Sequence, residues 1–387
     1  MMILIKNVKT FKPEAIGKKD LLIAGGKFID VDEQLDISYS GLKIIDGTGL
    51  TAVPGFIDSH VHILGGGGEG GFKTRTPEIK LSNMISAGVT TVVGCIGTDG
   101  ISRRMESLVA KAKGLKEEGV SAYVYSGSYR LPIATLTNDV MKDLLFIEEI
   151  IGVGEIAISD HRSSQPSFEE LSKLSADTRT AGILSNKAGI LNVHLGDSDK
   201  GLKPIIEIVN NTEIPITQYL PTHINRNEQL FKEGIEYAKK GGYIDFTTST
   251  TKQFIDAGEV EAPLAIKKAI ESGVKINQIT LSSDGQGSLP AFDSTGNFTG
   301  LAVGTSMSLY NAFKKAIKVY DVSIEEALMT ITKNPADILK LTNKGEIKVN
   351  LDADLVLLDD ELNIQYVIAN GKIMMEKNIM IQKGTFE

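Results

Sequence analysis

From residue 53 onward, the sequence alternates short apolar runs with amphipathic segments of helical length, and this alternation constrains the fold more than any other feature. Eight runs have the length and composition of buried strands. They lie near residues 53–62, 89–95, 121–126, 151–158, 190–195, 214–222, 242–248 and 279–284. Eight strand–helix units between residues 53 and 342 favour an α/β fold built as a TIM-like (β/α)8 barrel over an open sheet.

The segments between these runs have helical spacing of their apolar residues. They lie near 101–118, 168–182, 201–210, 226–240 and 259–273. Glycines at 119, 182, 241 and 273 are expected to end several of these helices, because glycine adopts the left-handed conformation of a helix C-terminus most readily. Three more helices are predicted near 306–319, 323–332 and 335–341, and the barrel domain is expected to span 53–342.

The two ends of the chain have a different character. Residues 1–52 and 343–387 consist of short strand-like pieces separated by turn residues, without long helical patterns. Each end alone is too small to form a stable hydrophobic core. We therefore expect both termini to combine in a small flanking β-sandwich domain.

The composition indicates a globular protein and limits the molecules that it could bind. With 42% hydrophobic and 23% charged residues, the chain can bury a large core. A formal net charge of −8 gives no basis for binding nucleic acid or anionic membrane, so a small substrate is expected. The single cysteine, Cys95, cannot form an intrachain disulfide, and the first residues lack a signal-peptide core. A cytoplasmic protein without a transmembrane segment is predicted.

Four of the five histidines fall at the ends of predicted strands. His60 and His62 lie on one face of the first strand, His194 ends the fifth and His223 follows the sixth. Asp284 ends the eighth strand. Active sites of barrels are built at the carboxyl ends of their strands, so these five side chains should converge on a metal site. Imidazole and carboxylate ligands favour Zn²⁺, with Mn²⁺, Co²⁺ or Fe²⁺ as alternatives. His161 and Cys95 are interpreted as structural residues.

Several segments around these ligands together resemble the isoaspartyl (β-aspartyl) dipeptidases of the amidohydrolase superfamily. The resemblance covers essentially the whole chain. The segments that carry it are 53–62 (VPGFIDSHVH), 65–69 (GGGGE), 74–78 (TRTPE), 159–162 (SDHR), 222–227 (THINRN) and 282–288 (SSDGQGS). It implies a metallo-dipeptidase that releases aspartate and an amino acid from a β-aspartyl dipeptide, and it implies a homo-oligomer.

The resemblance also implies two divalent metal ions. His60, His62 and Asp284 match the ligands of one metal, and His194 and His223 match those of the other. The bridging position on the fourth strand, commonly a carboxylated lysine in this family, is Glu155 in this chain. A glutamate offers two oxygens, but its arm is shorter, so backbone or metals must shift for it to bridge two cations.

The resemblance assigns the substrate contacts as well. A β-aspartyl dipeptide carries one ammonium and two carboxylates, which would pair with Glu69 and with Arg162 and Arg226 respectively. Further contacts are expected from Gly67, Gly68, Thr98, Tyr129 and Ser288.

The expected reaction is attack of a metal-bound hydroxide on the side-chain amide carbonyl. Tyr129 would help to stabilise the oxyanion, and Asp284 would carry the proton from water to the leaving amine.

Two alternatives stay open at this point. A dihydroorotase-like or hydantoinase-like enzyme acts on a cyclic amide without an α-ammonium, which would leave Glu69 and the two arginines without a clear role. A non-catalytic assembly protein related to the hydantoinases is expected to lack the metal ligands, whereas this chain keeps His60, His62, His194, His223 and Asp284.

Overall fold

Strands from both ends of the chain form one mixed sheet in the computed structural model, which describes residues 2–293, 295 and 297–387. Its strands are β1 (Met2–Phe11), β2 (Ala15–Ala24), β3 (Lys27–Asp32), β4 (Leu42–Asp46), β5 (Thr51–Pro54), β16 (Leu355–Leu358), β17 (Ile364–Ala369), β18 (Lys372–Glu376) and β19 (Ile379–Met380).

β1 connects the parts of this sheet. It pairs antiparallel with β2, and parallel first with β4 and then with β5. β16 pairs antiparallel with β5, so that the two termini share one nine-stranded sheet. This sheet folds back on itself, because Phe28 of β3 and Ile373 of β18, which lie near opposite ends of the strand order, pack in one apolar cluster. β1 shifts register between Ile5 and Val8 and exchanges one parallel partner for another there, so it belongs to both halves of the sheet.

Both faces of this sheet bury apolar side chains at its centre. Ile3 and Ile5 of β1 pack with Ile23 of β2 in one cluster. Leu4, between them in sequence, packs with Leu22 on the opposite face. This alternation follows from the two-residue period of a strand, and it explains why these terminal segments are apolar at successive positions.

All eight predicted strand runs between residues 53 and 284 contain a strand. These strands are β6 (Phe56–Val61), β7 (Val89–Gly94), β8 (Ser121–Ser126), β9 (Ile150–Ile158), β10 (Ile190–Leu195), β11 (Tyr219–Thr222), β12 (Ile244–Thr247) and β13 (Ile279–Ser282). β6 to β11 form a curled parallel sheet in sequence order, and β12 and β13 form a separate parallel pair.

Isolated backbone hydrogen bonds connect the β12–β13 pair to the six-stranded sheet on both sides. Ile224 N–H donates to Asp245 O between the β11 and β12 regions. On the other side, Asp284 N–H donates to His60 O and His62 N–H donates to Gly285 O. The carboxyl ends of β13 and β6 are thus adjacent, which places residues from the two ends of the barrel sequence at one rim.

Eight of the helices in the described ranges lie close to their predicted positions, and three short ones were not predicted. In chain order, the helices are α1 (Leu81–Ile85), α2 (Met105–Glu118), α3 (Val140–Phe146), α4 (Phe168–Ser185), α5 (Lys203–Asn211), α6 (Glu228–Lys239), α7 (Lys252–Asp256), α8 (Ala262–Glu271), α9 (Met307–Tyr320), α10 (Ile324–Ile331) and α11 (Lys333–Ile338). The three that were not predicted are α1, α3 and α7. None of the helices in the described ranges is both long and apolar enough to cross a membrane.

One predicted helix end is wrong. Gly119 ends α2 in the left-handed conformation, as expected, but Gly182 lies inside α4, which continues to Ser185 and ends at the left-handed Asn186. Gly182 has a packing role instead, because a Cβ atom there would lie 2.5 Å from Gly189 Cα. The glycine allows α4 to approach the segment that leads into β10.

Candidate active site

The structure brings the predicted metal ligands together at the carboxyl rim of the parallel strands. His60 is the penultimate residue of β6, His62 directly follows β6, and His194 lies near the end of β10. His223 and Asp284 come just after β11 and β13, both in the left-handed conformation that is uncommon for residues other than glycine. All four histidines are buried.

Glu155 of β9 lies at the centre of this cluster. Its Oε2 atom is 3.3 Å from His60 Nε2 and 3.1 Å from His194 Nδ1. The same oxygen is 4.0 Å from His223 Nε2, and Oε1 is 3.5 Å from His62 Nε2. The carboxylate therefore faces both histidine pairs, which is the position expected of a bridging ligand.

Three atoms in the cluster point to a bound cation. His60 Nε2, Glu155 Oε1 and Asp284 Oδ1 are buried and have no hydrogen-bond partner among the described residues. Asp284 Oδ1 is 3.0 Å from His62 Nε2. Buried polar atoms are costly without partners, and imidazole and carboxylate donors are those that divalent transition metals prefer. The residues at this site therefore fit divalent cations.

The charge states of Glu155 and His223 agree with this interpretation. Burial opposes ionisation of Glu155, but His60 and His194 hold the pKa of its carboxyl well below the ordinary value. Burial and the neighbouring His194 and Arg226 lower the pKa of His223 well below its ordinary value. Near neutral pH Glu155 is thus a carboxylate and His223 a neutral imidazole, which are the forms that bind metals.

Burial opposes protonation of His60 and His62, but neighbouring groups outweigh it. Cys95 and Glu155 raise the pKa of His60 well above the ordinary value. Cys95 and Asp284 likewise raise the pKa of His62 well above the ordinary value. A cation that binds these two imidazoles would therefore displace their protons.

Two residues that sequence reasoning missed orient the histidine rings. Asn192 Oδ1 is 3.0 Å from His60 Nδ1, and Thr247 Oγ1 is 2.6 Å from His223 Nδ1. Each contact leaves Nε2 of the ring directed toward Glu155. The two-residue strand period could have indicated Asn192, which precedes His194 by two residues on β10.

Asp160 is the third residue that was missed. Its Oδ2 atom accepts hydrogen bonds from His194 Nε2 at 3.0 Å and from Arg162 Nη2 at 2.7 Å. His194 Nδ1 then faces Glu155 and the hydroxyl of Tyr129, which is 2.9 Å away. Although burial opposes it, Arg162 and His194 hold the pKa of Asp160 far below its ordinary value, so Asp160 is ionised.

A cavity of about 630 Å³ opens above the cluster. Of the predicted substrate contacts, it is lined by Gly67, Glu69, Thr98, Tyr129, Arg162, Arg226 and Ser288. Gly68 instead lines an adjacent hollow, next to the exposed Phe72. Burial raises the pKa of Tyr129 well above its ordinary value, so that its hydroxyl keeps its proton and can donate.

The two predicted carboxylate-binding arginines differ in their own contacts. Arg162 donates from Nε and Nη2 to the buried Asp160, and its Nη1 is 3.4 Å from Glu69. Arg226 has one looser partner, Asp197, at 3.6 Å, and that side chain is 80% exposed. Arg162 is therefore held in place and offers Nη1 to a ligand, whereas Arg226 is free to exchange its partner.

A buried arginine shapes the glycine-rich segment beside the cavity. Arg103 donates to the carbonyl oxygens of Leu64 and Gly66, at 3.2 and 2.8 Å, and its Nη1 is 3.3 Å from Asp99. These contacts tie the glycine-rich segment to Arg103, which itself lines the cavity. Sequence reasoning did not identify Arg103, because nothing in its helical segment shows that it reaches back to residues 64–67.

The two residues interpreted as structural have different surroundings. Cys95 is buried, and its sulfur lies 3.7 Å from His62 Nδ1, close enough to belong to the same potential ligand group. His161 is exposed and lies outside both groups of potential metal ligands among the described residues.

The chain is similar in sequence and fold to known proteins. The chain is 47% identical to a crystallised β-aspartyl dipeptidase of Fervidobacterium islandicum AW-1 in complex with β-Asp-Leu, with 98% of each chain covered and a TM-score of 0.90. A second structure of β-aspartyl dipeptidase from that organism shows 45% identity and a TM-score of 0.89 over the same share of both chains. A dihydroorotase of Elusimicrobium minutum is 27% identical, over 96% of this chain and 91% of that protein.

A family model adds to these similarities. The model of the amidohydrolase family matches residues 51–374, which include the complete cluster of potential ligands around Glu155. The match to the β-aspartyl dipeptidases extends beyond it into both termini. This chain belongs to the amidohydrolase family.

Proposed function

We propose that this protein is a metallo-dipeptidase that hydrolyses β-aspartyl dipeptides to aspartate and an amino acid. The observation that carries the proposal is the 47% identity, over 98% of the chain, to a β-aspartyl dipeptidase in complex with β-Asp-Leu. The cavity described above supports it, because its acid and guanidinium groups match the charges of such a dipeptide.

The scaffold in this proposal is the complete eight-stranded barrel of residues 53–342, with a flanking domain of residues 1–52 and 343–387. The hydrogen bonds that join β13 to β6 and β11 to β12 support closure. We also propose a homo-oligomer in the cytoplasm, on the basis of the family resemblance and the single cysteine.

Two divalent cations, with Zn²⁺ as the preferred ion, complete the site in this proposal. His60, His62 and Asp284 would hold one cation, His194 and His223 the other, and Glu155 both. Such cations supply Lewis acidity, which lowers the pKa of water and polarises a carbonyl group. The partnerless buried atoms of His60, Glu155 and Asp284 support this ligand set.

The charged side chains would bind and orient the dipeptide. Arg226 would exchange Asp197 for the C-terminal carboxylate, and Arg162 Nη1 would bind the aspartyl α-carboxylate. Glu69, which already accepts a hydrogen bond from Thr98 at 2.9 Å, would bind the α-ammonium. Gly67 and Ser288 would line the remaining surface of the substrate.

Two side chains would serve the chemical step. Asp284 would accept a proton from the attacking water at its carboxylate and return it to the leaving amine. Tyr129 would donate from its hydroxyl to the carbonyl oxygen as negative charge develops there. The raised pKa of Tyr129 supports this role, because only the protonated phenol can donate.

The test is a comparison of β-Asp-Leu with α-Asp-Leu on metal-loaded enzyme. We expect kcat/KM to favour the β-linked isomer by at least about a hundredfold, because the α-linked isomer displaces the scissile carbonyl by one methylene while its charged ends keep the same anchors. The variant Asp284→Asn should be inactive on both. Equal turnover of the two isomers, or faster turnover of dihydroorotate, would overturn the proposal.

A further inference from the structure

One flank of the cavity is not used by the roles assigned above. It is formed by Phe254 and Ala257, by Glu259, and by Leu289 and Leu301 of the hairpin of β14 (Ser288–Phe292) and β15 (Phe298–Val303). We call these five residues the outer flank. They offer the cavity four apolar side chains and one carboxylate.

We propose that the outer flank binds the side chain of the dipeptide's second residue and selects one with a long apolar stem and a positive end, such as lysine or arginine. The proposal rests on the function proposed above and names the substrate class within it.

The backbone holds Glu259 next to the arginine assigned to the second residue. Glu259 N–H donates to Phe254 O at 3.0 Å, and Val260 N–H donates to Asn225 O at 2.9 Å. Glu259 directly precedes Val260, and Arg226 directly follows Asn225. The hydrogen bond between Val260 and Asn225 thus brings the backbones of Glu259 and Arg226 close together. We therefore place the second side chain of a dipeptide whose C-terminal carboxylate lies on Arg226 in this part of the cavity.

Asn225 makes this arrangement rigid. Its Nδ2 donates to the carbonyl oxygens of Val260 and Thr247, both at 3.0 Å, and its Oδ1 accepts from Thr247 N–H at 2.8 Å. The segment with Glu259 is thereby tied to the end of β12 and is not an isolated surface loop. A group held in this way can discriminate between side chains, since its position is set before the ligand binds.

The apolar residues of the outer flank would pack against the methylene stem of a lysine or arginine side chain. Phe254 and Leu301 are 37% and 49% exposed, and both line the cavity. The side chains of lysine and arginine carry several methylenes that pack on such surfaces while the charged end reaches a polar partner. A leucine side chain would use only the apolar part of the outer flank.

Glu259 is the group that a positive end would meet. Arg226 would bind the substrate carboxylate in place of Asp197. The released Asp197 side chain is 80% exposed, so solvent and salt screen its charge, whereas Glu259 is partly buried. Burial, with a smaller contribution from Glu261, raises the pKa of Glu259, and the Thr250 hydroxyl and Arg226 oppose this. The resulting pKa is about 7. An entering cation would favour the ionised form, and an acidic second residue would be repelled by it.

The experiment compares β-Asp-Lys with β-Asp-norleucine, which has the same stem without the charge, at pH 8 on metal-loaded enzyme. We expect kcat/KM to be on the order of tenfold higher for the lysine dipeptide. Glu259→Gln should remove most of this ratio. The matched control is Asp256→Asn, which deletes an exposed carboxylate three residues away and should keep the ratio.

Charge reversal gives a second readout. Glu259→Lys should turn over β-Asp-Glu better than β-Asp-Lys. Equal kcat/KM for lysine and norleucine dipeptides in the unmodified enzyme, or a lysine preference that survives in Glu259→Gln, would overturn the inference. Failure to hydrolyse any of these β-aspartyl dipeptides, β-Asp-Leu included, would instead count against the proposed function itself.

Discussion

Glu155 differs in kind from the residue that commonly bridges two metals in this family. A carboxylated lysine depends on CO₂, whereas a glutamate carries a permanent carboxylate. In this chain that carboxylate is buried and ionised between two pairs of histidines. The bridge is therefore ready before any cation binds, and metal loading should not need bicarbonate.

We expect Glu155→Gln to lose metal from the His194 and His223 side first, because it removes a charge shared by two cations at short range. Metal content by mass spectrometry should fall from two ions toward one per chain, and added bicarbonate should not change loading of either protein. Glu148→Gln, an exposed change near the start of the same strand, is the control. Two retained metals with full activity in Glu155→Gln would contradict the bridging role.

Arg226 offers a cleaner test of carboxylate binding than Arg162. Removing Arg162 would leave the buried Asp160 without its strongest partner, whereas the partner of Arg226 is largely exposed. We expect Arg226→Met to retain its metals and its melting temperature, and to lose about 2–5 kcal/mol of transition-state stabilisation in kcat/KM for β-Asp-Leu. A variant with unchanged kcat/KM would exclude Arg226 from substrate binding.

At the scale of elements, the position of α4 depends on a pair of glycines. Gly182 of α4 and Gly189, just before β10, approach so closely that neither accommodates a side chain. Packed interiors cannot absorb even one added methyl group without movement of their neighbours. The approach of α4 to β10 therefore depends on glycine at both positions.

We expect Gly182→Ala to lower the stability of the protein by about 1–3 kcal/mol, because the new Cβ meets backbone atoms that cannot move aside. Gly114→Ala in α2 is the matched control. A Cβ there meets nothing within 4 Å, and the change should stabilise by about 0.4–1 kcal/mol. Thermal unfolding of the metal-loaded proteins measures both changes, and equal shifts would contradict this account of the α4 contact.

At the scale of the whole molecule, the metal cluster joins strands from both ends of the parallel sheet. Its members come from β6, β9 and β10 and from the segments that follow β11 and β13. A cation bound there would hold together a sheet whose regular pairing is interrupted between β11 and β12 and between β13 and β6.

Removal of metal should therefore destabilise the fold as well as stop turnover. A ligand that binds only the folded state adds about 4 kcal/mol at a thousandfold excess over its Kd. We expect chelation to lower the melting temperature, readdition of Zn²⁺ to restore it, and Glu155→Gln to show a smaller shift. A melting temperature indifferent to metal in the unmodified protein would rule out this stabilising role.

Most of the elements, and most of the potential ligands, follow from the sequence by itself. Apolar period and helix-ending residues are local properties, so they predicted all eight parallel strands and the positions of the main helices. Gly182 was misread because a glycine that permits close packing has the same local appearance as one that ends a helix. The histidines could be grouped from the sequence because parallel strands place their carboxyl ends at one rim whatever the details of packing.

The tertiary structure alone decided which side chains meet beyond that rim. Asn192 reaches a histidine 132 residues away, Arg103 reaches back 39 residues to Leu64, and β1 joins strands from both termini in one sheet. Asp160 takes up two donors of Arg162 that the charge count had assigned to substrate. Such partnerships depend on side-chain direction and on how the elements pack, and neither is written in local sequence pattern.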